Sequence, residues 1–521
     1  MTIIKESAEN QRIAVIGAGV SGIAAANVWK KCGYAVTVFE ASDRIGGQWA
    51  TTYPGVRLQN TAPQYQFADY PWPFEPDRHP TGAQVIRYLE AAVEHFGLEV
   101  RLGQRITNMV KESDGWTLTI GESVERFAYV VVATGQYPGG SAKYVPPFPG
   151  MDRFEGEVVT NIDSHDIFEG KRVAVIGFGK TALDLASWSA NLAEETAHVF
   201  RTPRWTIPDR LLGIDYTRPF FARFGSDMMP SWVYSSAPQR FLHENLKAVV
   251  SGFWFFIASL FLFQHRRDAK VGGAKADALD AVMPPKSQFL ADLRSASAVA
   301  PATYYRDVAS GQINAMRSEV ESFYEGGLVL ANGDKIEADL ICVCCGNAGP
   351  TYPYLPEDVR SLLEGQRGGP SLYRHLLHPE ITDLGFAGYN HGFLHIALCE
   401  MGSLWQVAVH RGEIELPSQE AMAAEAERVA GWKRDHSTFE PTANMAVNTR
   451  YQQCLDVLLQ ELGISQWRKL PNLPAELFAR YDPTDYAGVV DSYATRARAP
   501  KSNAKSREPV AAPRVEPALT A

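Results

Sequence analysis

Two glycine-spaced turns stand 160 residues apart, each after a short apolar run and each opening a stretch with helical spacing. The first is Gly17-Ala-Gly19-Val-Ser-Gly22 after Ile13-Ala-Val-Ile16; the second is Gly177-Phe-Gly179-Lys-Thr181-Ala182 after Val173-Ala-Val-Ile176. One G-x-G-x-x-G alone says little, but the strand-turn-helix setting gives the spacing a physical meaning. The first glycine permits the tight turn, and the second lets the backbone approach a pyrophosphate. The third position, Gly22 or Ala182, lets the helix pack close to the strand, with the pyrophosphate at the helix N-terminus. The pattern predicts an α/β chain with two Rossmann-like dinucleotide-binding domains. Two dinucleotides on one chain imply electron transfer from one to the other.

The residue closing the next strand distinguishes the two sites. Tyr34-Ala-Val-Thr-Val-Phe39 ends on Glu40, 23 positions after Gly17, near the spacing at which a carboxylate accepts hydrogen bonds from a ribose diol. In the second unit the strand around Ala197-His-Val-Phe200 ends on Arg201, 24 positions after Gly177, with Thr202 and Arg204 close by. A cation there repels no 2′-phosphate and can bind one bidentately. The first site is therefore expected to hold an adenine dinucleotide without a 2′-phosphate, such as FAD, and the second to prefer NADPH. Each residue also has a plainer reading: Glu40 as a solvated strand-end charge, Arg201 as a surface cation.

A chain of 521 residues can bury two or three sizeable cores, and its net charge of −9 argues against a general nucleic-acid partner. Three of the six cysteines fall in Cys342-Val-Cys344-Cys345, where strand alternation sends the last two to opposite faces. None sits at zinc spacing, so no metal is expected, and six are too few for a disulfide framework. With no secretory pattern at the N-terminus, the expected compartment is the cytoplasm. Membrane association is left open by Ala248 to Phe263, sixteen residues without a charge between Lys247 and His265-Arg266-Arg267. A buried helix lining a substrate tunnel, a membrane-surface anchor and a true span all fit such a run.

These signals predict the first part of an FAD-binding domain at 1–150 and an NADPH-binding domain at 151–335. An aromatic-rich helical insertion at about 206–300 falls within the latter, facing substrate or membrane. The second part of the FAD-binding domain, with C-terminal helices, is placed at 336–495, and a disordered tail at 496–521. Residues 1–10 read as a loose leader. Trp205, Phe220, Phe221, Trp232, Tyr234 and Trp254 make the insertion fit for a lipophilic substrate, or for an ordinary core. No motif addresses the oligomeric state.

Further residues resemble a known family. Gly46-Gly47-Gln48-Trp49 follows Glu40, Ala133-Thr134-Gly135 ends a strand, and Tyr53-Pro-Gly-Val-Arg57-Leu-Gln-Asn60 precedes Phe67-Ala-Asp-Tyr-Pro-Trp72. With the paired glycine turns, the set is similar to the class B flavoprotein monooxygenases, over about 11–205 and 300–480. That group comprises the flavin-containing monooxygenases and the Baeyer–Villiger monooxygenases. Asn60 falls at an active-site asparagine of the heteroatom-oxidising branch, and Glu400-Met-Gly-Ser-Leu-Trp405-Gln406 resembles that branch's flavin-side helix. Phe200-Arg-Thr-Pro-Arg-Trp205 instead resembles the Baeyer–Villiger branch. The resemblance adds Gly47, Gln48, Trp49, Thr134 and Gly135 to the FAD contacts and Thr181 to those of NADPH. Asn60 and Arg57 become catalytic candidates, Arg57 either as a peroxide-stabilising cation or as a structural ion-pair partner.

Two positions depart from the family. Its FxGxxxH fingerprint begins as Phe154-Glu-Gly156, but the histidine position holds Thr160, and the nearest histidine is His165; the second ATG-type turn reads Cys344-Cys345-Gly346-Asn347. These departures bear on subclass and on coupling between the domains rather than on the fold. The implied mechanism is reduction of FAD by NADPH, then a C4a-(hydro)peroxyflavin that passes one oxygen atom from O2 to a small lipophilic substrate. N- or S-oxygenation or hydroxylation is favoured over Baeyer–Villiger conversion of ketones to esters or lactones. A flavin reductase without oxygenation and a flavin-binding protein without turnover are the other readings. A reductase of the disulfide kind needs a redox cysteine pair near the flavin, and no CxxC or CxxxxC occurs in the first 150 residues.

Overall fold

The computed structural model describes residues 11–136, 143–229, 236–269, 276–295, 298–437 and 443–498. The expected leader, the tail beyond 498, Trp232 and Tyr234 lie outside the described residues. Two five-stranded parallel sheets organise the chain.

The first sheet runs, edge to edge, Leu384–Phe386, Tyr129–Val132, Arg12–Ile16, Ala35–Phe39 and Glu99–Arg101. Its central strands Ile13–Ile16 and Tyr129–Val132 are buried along their whole length, as parallel strands covered on both faces require. The order reverses between Arg12–Ile16 and Tyr129–Val132, which opens a crevice at the carboxyl ends of these strands. A three-stranded antiparallel meander, Ile106–Glu112, Gly115–Ile120 and Ser123–Phe127, replaces the crossover helix before Tyr129.

The second sheet repeats the arrangement as Asn314–Arg317, Glu195–Phe200, Arg172–Ile176, Leu340–Val343 and Glu157–Val159. This corrects the boundary placed at 336. An Asn332-Gly333 hairpin joins Gly327–Leu330 to Lys335–Glu337. It delivers Leu340–Val343 into the second sheet, beside Arg172–Ile176, rather than back to the first. All four residues Leu340-Ile-Cys-Val343 are buried, as an interior parallel strand covered on both faces requires. The chain rejoins the first sheet at Leu384–Phe386.

The insertion is helical, as expected, with Arg223–Met228, Ala237–Asn245, Lys247–Asp268 and Phe289–Ser295 among its elements. Its helix Ala276–Val282 stays on the core of the unit that encloses it in sequence, through Leu279 and Val282, while the other helices turn to the C-terminal elements. Its Phe220, Phe221, Trp254 and Phe261 share one core with Trp405, Tyr451 and Leu455 of the C-terminal helices His395–His410 and Tyr451–Glu461. Buried Arg223 bridges Asp456 and Glu476 across the same seam. The helix Val489–Arg498 covers the first three positions of the segment expected as a tail from 496.

Candidate functional site

At the first turn, Gly17 has φ +110°, and a Cβ there would stand 2.6 Å from the Ala133 carbonyl oxygen. A Cβ on Gly22 would stand 1.9 Å from the Gly17 carbonyl oxygen, so neither position tolerates a side chain. Gly19 caps the helix Val20–Lys31 without a side-chain acceptor, leaving first-turn N–H groups directed outward. The second turn is built the same way. Gly177 has φ +121°, a Cβ would stand 2.3 Å from the Cys344 carbonyl oxygen, and Gly179 caps Lys180–Leu192. Gly17 N–H donates to Phe39 and Gly177 N–H to Val199, equivalent positions of the next strand. Both turns are cradles that a Cβ would fill and that fit an anionic pyrophosphate on a helix N-terminus.

Other expected residues gather at the first turn. Glu40 accepts from the Ala18 N–H at 2.8 Å and from the Ser42 N–H and hydroxyl, each at 2.9 Å, which holds its carboxylate against the loop. Gly47 approaches Gly19, its ideal Cβ lying 3.0 Å from the Gly19 Cα. It precedes the single helical turn Gln48–Thr51, on which Gln48 is exposed and Trp49 donates to the Tyr65 hydroxyl at 3.1 Å. Thr134 and Gly135 follow Tyr129–Val132, and the Tyr389 hydroxyl donates to the Gly135 carbonyl at 3.3 Å.

A third turn joins this crevice without a counterpart among the sequence motifs. After Leu384–Phe386 the chain passes Gly388, whose Cβ would stand 2.4 Å from the Ser21 Oγ, so this turn closes on the first glycine loop. Asn390 is fully buried, and its Oδ1 has no hydrogen-bond partner among the described residues. The only signal in the sequence is a short apolar strand running into Phe-Ala-Gly388, and nothing local ties it to a loop about 370 residues earlier.

Asn60 donates from Nδ2 to the Phe393 carbonyl at 2.7 Å, which sets it beside the N-terminal end of His395–His410. Next to it, Tyr216 donates to the Gln59 carbonyl at 2.7 Å, and Phe221 stacks on Phe393 at 4.9 Å. Phe220 and Tyr451 complete an aromatic wall. Arg57 points elsewhere. It is half exposed, pairs with Asp77 at 2.6 Å and donates to the His79 carbonyl at 3.0 Å. That pair is the contact the structural reading of Arg57 calls for. Trp405, part of the expected flavin-side helix, is fully buried and donates to Glu461 at 2.7 Å.

In the second unit Arg201 reaches outward, its side chain 73% exposed and 3.8 Å from a Glu319 carboxylate that is itself 62% exposed. Thr202 is half-buried behind it. Arg204 makes an inward contact. Its NH1 pairs at 3.2 Å with Asp292, only 2% exposed, which also accepts from the Trp205 N–H. His198, which carried no expectation, braces this turn. The Gly177 carbonyl can only accept, so Nε2 donates to it at 2.6 Å and Nδ1 accepts from the Tyr304 hydroxyl at 2.8 Å. Burial pushes this imidazole down to about 4, which keeps it in that neutral form.

Side chains from both units meet between the two turns. Tyr53 donates to Asp184 at 2.9 Å on the helix Lys180–Leu192, and Lys180 pairs with the other carboxylate oxygen. Burial raises the Asp184 carboxyl, against the pull of Lys180. Thr181 lies in the same contact with Tyr53. His165 Nε2 bonds the Pro54 carbonyl at 3.0 Å, and its ring lies 4.3 Å from Trp188. Gly55, at φ +81°, leaves the room they need, since a Cβ would stand 3.0 Å from the His165 Cε1 and 3.1 Å from the Trp188 ring. Thr160 is half-buried, and His165 touches the other unit.

Comparison with known proteins agrees with this geometry. The family described as pyridine nucleotide-disulphide oxidoreductase matches residues 14–212. A probable flavin-containing monooxygenase 1 of Arabidopsis thaliana is 30% identical over 92% of this chain and 96% of its own. The fold matches the S-allyl-L-cysteine S-oxygenase of Allium sativum with a TM-score of 0.60 at 18% identity, covering 93% of this chain and 99% of that one. It matches ε-caprolactone-bound cyclohexanone monooxygenase with a TM-score of 0.61 at 18% identity, covering 87% and 98%.

Proposed function

The chain belongs to the flavin-containing monooxygenases, and from that premise we propose that it oxygenates a soft nitrogen or sulfur atom of a small lipophilic substrate. Membership makes it an FAD-dependent, NADPH-consuming monooxygenase. A bound flavin would supply the redox and oxygen chemistry of such an enzyme.

The chain's own residues bind, orient and exclude. In this reading Gly17, Gly19 and Gly22 hold the FAD pyrophosphate against the N–H groups of Val20–Lys31. Glu40 accepts from the adenosine ribose with the Oε2 lone pair left after its three loop contacts. Gly47, Gln48, Trp49, Thr134 and Gly135 border the same crevice, and Asn390 offers its unoccupied Oδ1 there. Gly177, Gly179 and Thr181 form the NADPH loop, and Arg201 binds the 2′-phosphate. Tyr53, Pro54 and Gly55, fixed on the second unit, hold the segment that carries Asn60 in a set position between the two cofactors. The wall of Tyr216, Phe220, Phe221, Phe393 and Tyr451 excludes water, which protects reactive oxygen from wasteful release.

The observation that carries the reading is the contact of Asn60 with this aromatic wall through Phe393. A wall of aromatic rings suits an apolar substrate and asks only for positioning of a nucleophilic atom. Turnover with NADPH and 18O2 on an alkyl aryl thioether and on a cyclic ketone tests it. A sulfoxide carrying one 18O, with the ketone unchanged, is the expected result. A labelled lactone as the main product would overturn the proposal in favour of ketone oxidation.

The helix Lys247–Asp268 has a second role in this reading, contact with a membrane surface. Val250, Trp254, Ala258 and Phe261 face the core, whereas Val249, Phe255, Phe256 and Phe263 are 55–61% exposed. Lys247 precedes this apolar face and Arg266 and Arg267 close it, the arrangement of an interfacial helix.

A further inference from the structure

His395 opens the helix His395–His410 where the first glycine loop and the third turn converge. Its Nε2 lies 3.0 Å from the Ser21 Oγ, in the first turn of the helix Val20–Lys31 that follows the glycine loop. The Cys399 Sγ packs on the same nitrogen at 3.7 Å, one turn further along the helix. On the third turn, a Cβ at Gly388 would stand 3.8 Å from the His395 Cε1 as well as 2.4 Å from the Ser21 Oγ. Two residues before the histidine, the Phe393 carbonyl holds Asn60. The imidazole thus stands between the glycine loop and the segment that carries Asn60.

One ring nitrogen is tied and the other is not. Nδ1 is buried with no hydrogen-bond partner among the described residues, although the residue as a whole is only half-buried. Buried polar atoms are nearly always paired, because an unpaired one forfeits its hydration without return. At the second glycine turn, His198 has both nitrogens filled, by the Gly177 carbonyl and the Tyr304 hydroxyl. Burial pushes the His395 imidazole down to about 4, so the ring is neutral and carries one proton. The Ser21 hydroxyl can donate to Nε2, which leaves that proton on Nδ1 as a donor.

We propose, on the reading of this crevice as the FAD site, that His395 binds FAD: its Nδ1–H donates to an oxygen of the ribityl–diphosphate arm. In that reading the diphosphate rests on the N–H groups at the start of Val20–Lys31, and the flavin ring lies towards Asn60. His395 stands between these ends, one ring away from Ser21. Hydroxyl and phosphate oxygens along that stretch of the cofactor all accept from an N–H. The Ser21 bond fixes the rotation and tautomer of the ring, so the donor is aimed before the cofactor arrives and little ordering is left for binding to bear.

Release of FAD on serial dilution of the FAD-loaded full chain, followed by flavin fluorescence, gives the Kd without turnover. In His395→Asn the side-chain amide reaches the place of Nδ1, and in His395→Gln the place of Nε2; His395→Phe keeps a ring with neither nitrogen. The Kd for FAD should rise about tenfold in His395→Gln and His395→Phe and stay within about threefold of the parent in His395→Asn. The reverse order, with affinity kept by His395→Gln and lost by His395→Asn, would assign the effect to the Ser21 bond and overturn the proposal. Equal affinity in all four proteins, or equal loss in all three variants, would overturn it as well. Glu40→Gln, measured alongside, keeps the two readings apart. A raised Kd there with no effect at His395 strikes the histidine alone, whereas an unchanged Kd strikes the placement of FAD in this crevice.

Discussion

Arg201 and Arg204 are three residues apart and carry the same group, yet their surroundings divide them. Arg204 is held by Asp292, whereas Arg201 extends from the strand end with its side chain 73% exposed. If Arg201 binds the 2′-phosphate, Arg201→Ala raises KM for NADPH about tenfold and leaves KM for NADH unchanged, since one lost charge-assisted contact is worth about 1.4 kcal/mol. Steady-state kinetics with both nucleotides check this; equal effects on the two would remove Arg201 from the site. Glu400, 3% exposed, makes a pH-dependent contribution. Burial pushes its carboxyl up to about 8, while the Ala68 N–H pulls it down. The folded protein then keeps a proton that the unfolded chain releases above the ordinary carboxylate range. Stability from this group is full below about pH 4.5 and is lost as pH rises towards 8. Glu400→Gln should match the parent Tm at pH 5 and exceed it at pH 8. The glycine turns were legible because their constraint is local: a Cβ at Gly17 or Gly177 meets a neighbouring backbone oxygen. The fate of Arg204 was not, because Asp292 lies 88 residues away.

At the scale of elements, the helix Lys247–Asp268 shows how much composition alone leaves open. Its 22 residues have a mean hydropathy of 1.6 in their most apolar window, and one third of that window is buried. One face packs against the core through Trp254 and Phe261, so the element is neither wholly enclosed nor surrounded by open surface. If the other face rests on a membrane, the enzyme should co-sediment with vesicles containing anionic lipid. A Phe255→Ser/Phe256→Ser double variant should lose about 90% of that binding and keep its FAD, because those rings are 60% and 61% exposed and support no core. Equal sedimentation of both proteins would refute the contact. The strand Leu340–Val343 is the complementary case. Strand alternation is legible in its cysteines, but which sheet receives it depends on register with Arg172–Ile176.

Across the whole molecule the two nucleotide units are interleaved. The second sheet takes its edge strand Glu157–Val159 from the segment before its glycine turn, and the first sheet takes Leu384–Phe386 from beyond the second unit. The connection between them carries its own contacts, with Tyr53 on Asp184 and His165 on the Pro54 carbonyl. His165→Ala should loosen this seam and raise peroxide release per NADPH consumed about two- to tenfold, within the range of coupling energies between linked sites. Thr160→Ala should leave it unchanged. Peroxide and product yields measured together check both; equal uncoupling in the two variants would place the link elsewhere. By itself the sequence determined the features set by neighbours along the chain: two strand-turn-helix cradles, a carboxylate after the first, a cation after the second, and thus a two-nucleotide flavoprotein. Only the tertiary structure decided which sheet each strand entered, which arginine stayed exposed and which histidine joined the units. Those outcomes depend on partners tens to hundreds of residues away, where burial and charge pairing rather than local geometry select the contact.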